Sequence, residues 1–225
     1  MSTLKIEEGE VEFNVESAGK PCKTWYKVVG DLSNSAHRPL IVLHGGPGIP
    51  HEYLTVLSAL ASMYSIPVIF YDQIGNGRST HLPEKIGDTI FWTDKLWLDE
   101  LDNLLVHLGI QDDYAILGHS WGGMLGARHA ALQPMGLKQL VIADSPADMH
   151  DWVEVQNELK TRLPQDVQDI LTKYDNARTW EDTEYQDAVQ VFYREFLCRL
   201  ETYPDVLIKS LKWLEQQCIT LCEPI

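Results

Sequence analysis

Short apolar runs alternate with amphipathic segments through the middle of the chain. Three apolar runs of four to six residues lie at 39–43, 66–71 and 114–117, and a fourth buried strand is predicted at 138–143 with Leu140-Val141-Ile142 at its centre. Continuous runs of this kind are typical of strands that are covered on both faces. Three segments between them are predicted as helices: 51–64, 97–108 and 122–132. This order predicts an α/β fold with a doubly wound, mostly parallel sheet fed by right-handed crossovers.

The helix predicted at 97–108 has an apolar face and an acidic remainder. Trp97, Leu101, Leu104, Leu105 and Leu108 recur at helical spacing and predict the face that packs on the sheet. The acidic residues are expected on other faces of this helix: Asp94, Asp99, Glu100 and Asp102.

The two ends of the chain differ from this central part. Residues 11–15 and 24–30 predict two further strands before the first apolar run. After Pro146 no strand-like apolar run occurs, and helices are predicted at 150–162, 165–174, 182–200 and 204–217. We therefore expect a core over residues 1–147 and an all-helical lid over residues 148–225. No further strand is predicted after the one at 138–143, which then forms an open edge of the sheet.

Composition and charge exclude several classes of protein. The chain has 225 residues with 18 basic and 33 acidic side chains, a net charge of −15. This balance argues against nucleic acid or an anionic membrane as a partner. No apolar run approaches the ~20 residues that span a bilayer, and the acidic first 20 residues do not resemble a signal peptide. The four cysteines fit neither a disulfide framework nor a zinc pattern, so we expect a reduced, cytoplasmic protein.

Gly118–Gly122 is a Gly-x-Ser-x-Gly motif between a predicted strand and a predicted helix. In a strand-to-helix elbow the two glycines allow a sharp turn without a Cβ clash, and the serine hydroxyl is exposed at the helix N-terminus. Ser120 is therefore the candidate catalytic nucleophile.

A second glycine-rich segment, His44–Gly48, follows the apolar run at 39–43. It lies at the carboxyl edge of the predicted sheet, where ligands bind in such folds. The N–H groups of Gly46 and Trp121 are the candidate oxyanion-hole donors. The neighbouring residues with an expected scaffolding role in the site loops are His44, Gly45, Asp72, Gln73 and Arg78.

Three motifs together resemble the proline iminopeptidase family of α/β-hydrolases. They are His44–Gly48, the Asp-Gln-x-Gly-x-Gly-x-Ser segment at 72–79, and Gly118–Gly123. The segment from Glu184 to Tyr193 also resembles the helical cap of that family's tricorn-interacting aminopeptidase branch. The resemblance covers roughly residues 5–215. It implies release of N-terminal proline or hydrophobic residues from short peptides by a Ser–Asp–His triad that needs no metal or cofactor.

The acid and base that the resemblance implies are not evident in this chain. The family places the acid and the base after the lid, on loops that follow the last two core strands. This chain is expected to lack those last core strands, and no histidine follows His150. Asp144 is the candidate acid of a variant triad, with loop capping beside Ser145 as its alternative role. Three histidines are considered as substitute bases. His119 is expected to point away from the serine hydroxyl, His129 to be packed or solvated, and His150 to open the lid.

The stretch of the lid that holds the substrate's amino group in the family also falls beyond Ile225. Four glutamates of this chain are instead expected on solvated helix faces: Glu154, Glu158, Glu184 and Glu195.

The ending 216–225 departs from the family's continuation and is typical of a shortened gene product or an alternative transcript. We therefore expect the chain to have negligible peptidase activity. Two other functions stay open, an esterase or amidase of the same fold and an inactive remnant that binds peptides or nothing. The sequence does not indicate an oligomeric state.

Overall fold

The computed structural model describes residues 4–33 and 36–213 of the chain. The described residues form two compact units. The sheet unit comprises residues 4–145 and 205–213, and the helical unit comprises residues 146–204. The first junction lies close to the boundary drawn at residue 147, whereas residues 205–213 belong to the sheet unit and not to the helical segment that the sequence assigned to them.

Six strands form one sheet in the order β1-β2-β4-β3-β5-β6. Their bounds are Ile6–Phe13 for β1, Cys22–Val29 for β2, Leu40–Leu43 for β3, Val68–Tyr71 for β4, Tyr114–His119 for β5 and Leu137–Ala143 for β6. The pairs β4–β3, β3–β5 and β5–β6 are parallel, and β1–β2 and β2–β4 are antiparallel. The predicted fold class, an α/β-hydrolase with a mostly parallel sheet, is confirmed.

The three apolar runs became the central strands β3, β4 and β5, because both of their faces are covered. Ile41, Leu43, Val68 and Ile69 have no exposed surface. A fully buried Leu or Ile side chain contributes about 1.5–3 kcal/mol relative to leaving it exposed. Burying these runs requires helices on both sides of the sheet, which the alternation of elements supplies. The expectation that the strand at 138–143 is buried likewise is wrong, because it forms the edge strand β6.

The helices of the sheet unit are α1 over Ala59–Tyr64, α2 over Asp94–His107, α3 over Trp121–Ala131 and α7 over Asp205–Lys212. The single helix predicted at 51–64 is wrong over its first half, because His51–Ser58 forms a 3₁₀ helix. Two of its amides donate to side chains from elsewhere in the chain: the N–H of His51 to Asp72, and the N–H of Tyr53 to Ser210.

The helical unit contains α4 over Met149–Lys160, α5 over Gln165–Ala177 and α6 over Thr183–Phe196. It has an apolar cluster of its own, which includes Leu171, Tyr185 and Phe192. Helix α6 ends four residues earlier than the sequence predicted. None of the helices in the described ranges is long and apolar enough to cross a bilayer.

Strand β6 pairs only with β5 among the described residues, so it forms an edge of the sheet. Its consecutive residues Val141 and Ile142 are 50% and 52% exposed, which leaves apolar side chains uncovered on both faces of the strand. Unpaired backbone N–H and C=O groups on an edge strand, beside exposed apolar side chains, favour pairing with a strand of another chain.

A charge on this edge is expected to reduce self-association. In Val141→Lys, light scattering at increasing protein concentration should show less association than in the unsubstituted chain, because a lysine on an edge strand opposes strand addition. Val56→Lys is the matched control, since Val56 is 72% exposed and lies away from the edge. Equal association of all three proteins would show that β6 is not the surface that associates.

Candidate active site

Ser120 lies in a strand-to-helix elbow, as the sequence predicted. Strand β5 ends at His119 and helix α3 begins at Trp121. Ser120 has φ 53° and ψ −122°, a conformation that residues other than glycine rarely adopt. Such backbone strain costs on the order of 1–3 kcal/mol and is found mainly at functional sites.

The elbow depends on glycine at two positions where backbones nearly touch. A Cβ atom on Gly118 would collide with the carbonyl oxygen of Gly122, and one on Gly122 would collide with that of Leu43. The glycines therefore allow the first turn of α3 to pack directly on the ends of β3 and β5.

The backbone of Ser120 is held while its side chain is free. Its N–H donates to the carbonyl of Ala143 at 3.0 Å, and its carbonyl accepts from the N–H groups of Gly123 and Met124. The Ser120 hydroxyl makes no hydrogen bond to any other residue in the described ranges. The backbone of Ser120 is therefore fixed, but within these ranges the hydroxyl lacks the hydrogen-bonded base that activates a serine nucleophile.

The Gly45–Gly48 loop lies directly beside the serine. The Cβ position of Gly45 is 3.2 Å from the Ser120 Cβ atom, and Gly46 has φ 113°. The N–H of Gly45 donates to the Tyr53 hydroxyl. Among the described residues, the N–H groups of Gly46 and Trp121 have no acceptor, which leaves both available to a developing oxyanion. Their assignment as oxyanion donors stays a prediction.

His44 is a buried part of the loop scaffold. Its Nδ1–H donates to the Gly45 carbonyl at 2.9 Å, and its Nε2 accepts from the N–H of Gln73 at 3.0 Å. Because one partner only accepts and the other only donates, the ring is the neutral Nδ1–H tautomer. Burial lowers the pKa of His44, which favours the same neutral form.

The Gln73 side chain connects the two loops that flank the serine. Its amide nitrogen donates to the His44 carbonyl at 3.2 Å, and its Oε1 accepts from the indole N–H of Trp121 at 3.0 Å. One fully buried amide thus fixes the glycine-rich loop relative to the first residue of α3.

Asp72 organises the loop that follows β4. Its Oδ1 accepts from the backbone N–H and the ring Nδ1 of His51, and its Oδ2 accepts from the N–H of Arg78. Burial by itself would raise the pKa of Asp72, but the hydrogen bond and the charge of the His51 ring outweigh burial and lower it. The Arg78 guanidinium lies over the Trp25 ring and pairs with Glu8.

Glu100 is a loop-holding residue that the sequence analysis placed wrongly. It is fully buried on α2, where its carboxyl group accepts from the Thr24 hydroxyl at 2.5 Å and from the N–H of Ile74 at 2.9 and 3.0 Å. Burial raises its pKa to about 8. Since Glu100 is three residues from Trp97 and four from Leu104, helical spacing would have placed it on the buried face.

Two of the histidines considered as substitute bases, His119 and His129, are hydrogen-bonded to tyrosine hydroxyl groups. The Nδ1 atom of His119 accepts from the Tyr53 hydroxyl at 2.7 Å, and its Nε2 atom is 4.0 Å from the Asp144 carboxylate. Burial lowers the pKa of His119, although Asp144 opposes this shift. His129 is packed, with its Nε2 atom bonded to the buried Tyr114 hydroxyl.

The candidate residues of the helical unit face solvent. His150 lies in the first turn of α4. It is near Asp151 and Glu154, and these three exposed side chains are the one group in the described ranges whose atoms are spaced to hold a metal ion. Exposed acidic groups are common without a metal ion. The four glutamates expected on solvated faces are exposed: Glu154, Glu158, Glu184 and Glu195.

Comparisons with known proteins support the sequence resemblance. A family described as the alpha/beta hydrolase fold matches residues 38–194. The proline iminopeptidase of Clostridium botulinum is 36% identical over 190 residues, which are 84% of this chain and 60% of that protein. The proline iminopeptidase of Saccharolobus solfataricus is 33% identical over 189 residues, which are 84% of this chain and 58% of that protein. The chain therefore spans about 60% of the length of these relatives.

Two solved structures are also similar to this chain in sequence and in fold. VinJ is 44% identical with a TM-score of 0.87, and the match covers 94% of this chain and 68% of VinJ. The proline iminopeptidase of Mycobacterium smegmatis is 41% identical with a TM-score of 0.77, over 87% of this chain and 65% of that protein. The resemblance to proline iminopeptidases drawn from the three motifs is confirmed.

The buried carboxyl group of Glu100 is expected to make stability depend on pH. Its pKa is about 8 in the folded chain and near the ordinary 4.5 when unfolded. Between these values the folded state holds the extra proton, so the free energy of unfolding falls as pH rises through this window. In Glu100→Gln this fall should be smaller, and the variant should match or exceed the unsubstituted chain in stability above about pH 8.

Urea unfolding at several pH values between about 5 and 9 measures this effect. Asp99→Asn is the matched control, because Asp99 is an exposed acid on the same helix. A pH profile of Glu100→Gln that coincides with those of the control and the unsubstituted chain would contradict the expectation.

Proposed function

The chain belongs to the α/β-hydrolase fold family, and on that basis we propose that it carries the nucleophile and oxyanion site of a serine aminopeptidase of the proline iminopeptidase type. The substrates proposed are short peptides with an N-terminal proline or hydrophobic residue. The cytoplasm is the proposed location.

The observation that carries this proposal is the free Ser120 hydroxyl beside two free amides. Attack of its oxygen on the carbonyl carbon of the substrate's N-terminal residue forms a tetrahedral intermediate with a negatively charged oxygen. The N–H groups of Gly46 and Trp121 would donate hydrogen bonds to that oxygen, and the N-terminus of α3 adds a favourable dipole. Loss of one such donor typically slows the reaction about 100-fold or more.

The described residues supply no base to this serine. Proton transfer from the hydroxyl and to the leaving amine normally passes through a histidine, and none in the described ranges is hydrogen-bonded to Ser120. Removing the base of a serine triad costs on the order of a million-fold in turnover. The chain of 225 residues is therefore expected to react at Ser120 without efficient turnover.

An esterase or amidase of the same fold remains the alternative, and a panel of aminoacyl arylamides against p-nitrophenyl esters separates the two.

A fluorophosphonate probe tests the nucleophile independently of turnover. Intact mass should show slow addition of one probe per chain, mapped to Ser120, because the elbow and the oxyanion amides are present. Hydrolysis of proline and leucine arylamides by the same sample should be negligible, because no histidine is placed to activate water.

Ser120→Ala is expected to abolish labelling. Ser62→Ala is the control, since Ser62 is an exposed serine within the regular helix α1. Labelling that persists in Ser120→Ala would refute the assignment of the nucleophile. Robust arylamide turnover that is lost in Ser120→Ala would refute the expectation that the chain lacks a base.

A further inference from the structure

The Tyr53 hydroxyl is hydrogen-bonded both to the Gly45–Gly48 loop and to the end of β5. It accepts from the N–H of Gly45 at 2.9 Å and donates to the Nδ1 atom of His119 at 2.7 Å. Gly45 immediately precedes Gly46, and His119 immediately precedes Ser120. A single hydroxyl group thus joins the residue before the candidate oxyanion donor to the residue before the candidate nucleophile.

The surrounding geometry makes this contact tight. The Cβ position of Gly45 is 3.0 Å from the Tyr53 hydroxyl oxygen and 3.3 Å from the His119 Nδ1 atom. The rings of Tyr53 and His119 meet edge to face with centroids 5.2 Å apart. Burial raises the pKa of Tyr53, so its hydroxyl keeps the proton that it donates to His119. The Nε2 atom of the His119 ring lies 4.0 Å from the Asp144 carboxylate, which favours the tautomer with hydrogen on Nε2 and leaves Nδ1 to accept from Tyr53.

The backbone of Tyr53 is itself held by helix α7. Its N–H donates to the Ser210 hydroxyl oxygen at 3.0 Å, and the Ser210 hydroxyl donates to the Pro50 carbonyl at 3.1 Å. Ser210 is fully buried on α7. The neighbouring Lys209 pairs with the buried Glu52 at 3.3 Å. The 3₁₀ helix that carries Tyr53 is therefore fixed to α7.

We propose that Tyr53 is a positioning residue that sets the distance between the Gly46 amide and Ser120. This inference rests on the proposed function, because it assigns Tyr53 a task within the same site. The phenol is rigid and has one partner in the Gly45–Gly48 loop and one at the end of β5, so it can hold these two segments at one separation. Without the hydroxyl, Gly45 loses the acceptor for its N–H and His119 loses the donor to its Nδ1 atom. The oxyanion amide is then less well placed for the transition state, while the space around the serine is unchanged.

Tyr53→Phe tests this role, because it removes only the hydroxyl. In fluorophosphonate labelling we expect the maximal rate to fall about tenfold, less than the loss of a whole oxyanion donor. The probe concentration for half-maximal rate should not change, because the ring and the cavity remain. By NMR, the amide proton of Gly45 should exchange faster with solvent, because it has lost its acceptor.

Tyr114→Phe is the matched control. Tyr114 opens β5, the strand that His119 ends, and its hydroxyl makes a Tyr–His hydrogen bond of the same 2.7 Å length to His129. The control should unfold at lower urea concentration while keeping the labelling rate and the exchange rate of the Gly45 amide. This comparison separates positioning from a general loss of stability.

Two results would overturn the inference. One is a labelling rate in Tyr53→Phe no lower than in Tyr114→Phe, and the other is unchanged exchange of the Gly45 amide. If the unsubstituted chain is not labelled at Ser120 at all, the proposed function fails, and the amide exchange alone then decides whether Tyr53 holds the loop.

Discussion

The close approach of helix α3 to the ends of β3 and β5 is the constraint on which the site depends. It requires backbone contact at Gly118 and Gly122, where no side chain fits. The same approach forces Ser120 into a conformation with φ 53°, and the strain is tolerated because its N–H and carbonyl are both bonded. As a result the serine side chain extends from a fixed backbone at a helix N-terminus, next to the Gly45–Gly48 loop.

Buried polar side chains fix the loops around that serine. His44, Asp72, Gln73 and Glu100 are fully buried, and each has hydrogen-bond partners in a loop of the site. Burying such groups without partners costs several kcal/mol, whereas fully bonded networks are rigid. Loops have no ladder of backbone hydrogen bonds to define them, so these side chains take over that task. The cost is sensitivity to pH, since the neutral form of Glu100 is the one that burial favours.

Two segments of the sheet unit, the residues after β6 and helix α7, contact residues around Ser120. Residue 145 follows Asp144, whose carboxylate lies 4.0 Å from the His119 ring. The Cβ position of Gly123 is 2.6 Å from the Ser145 Cβ atom. The returning helix α7 bonds through Ser210 to the backbone of Tyr53. Both segments thus contact, within the sheet unit, the residues that surround Ser120.

The sequence by itself determined the strands, most of the helices and the elbow at Ser120, because hydrophobic periodicity and glycine placement are local signals. The candidate scaffolding residues were also local, since they follow the ends of two buried strands. Tertiary structure alone decided that His51–Ser58 is a 3₁₀ helix, that α7 joins the sheet unit, and that the Tyr53 hydroxyl bonds to His119. Each of these features depends on residues far apart in the chain, such as Tyr53 and Ser210, which are 157 positions apart. No local pattern encodes such a contact, because it exists only after the intervening elements have packed.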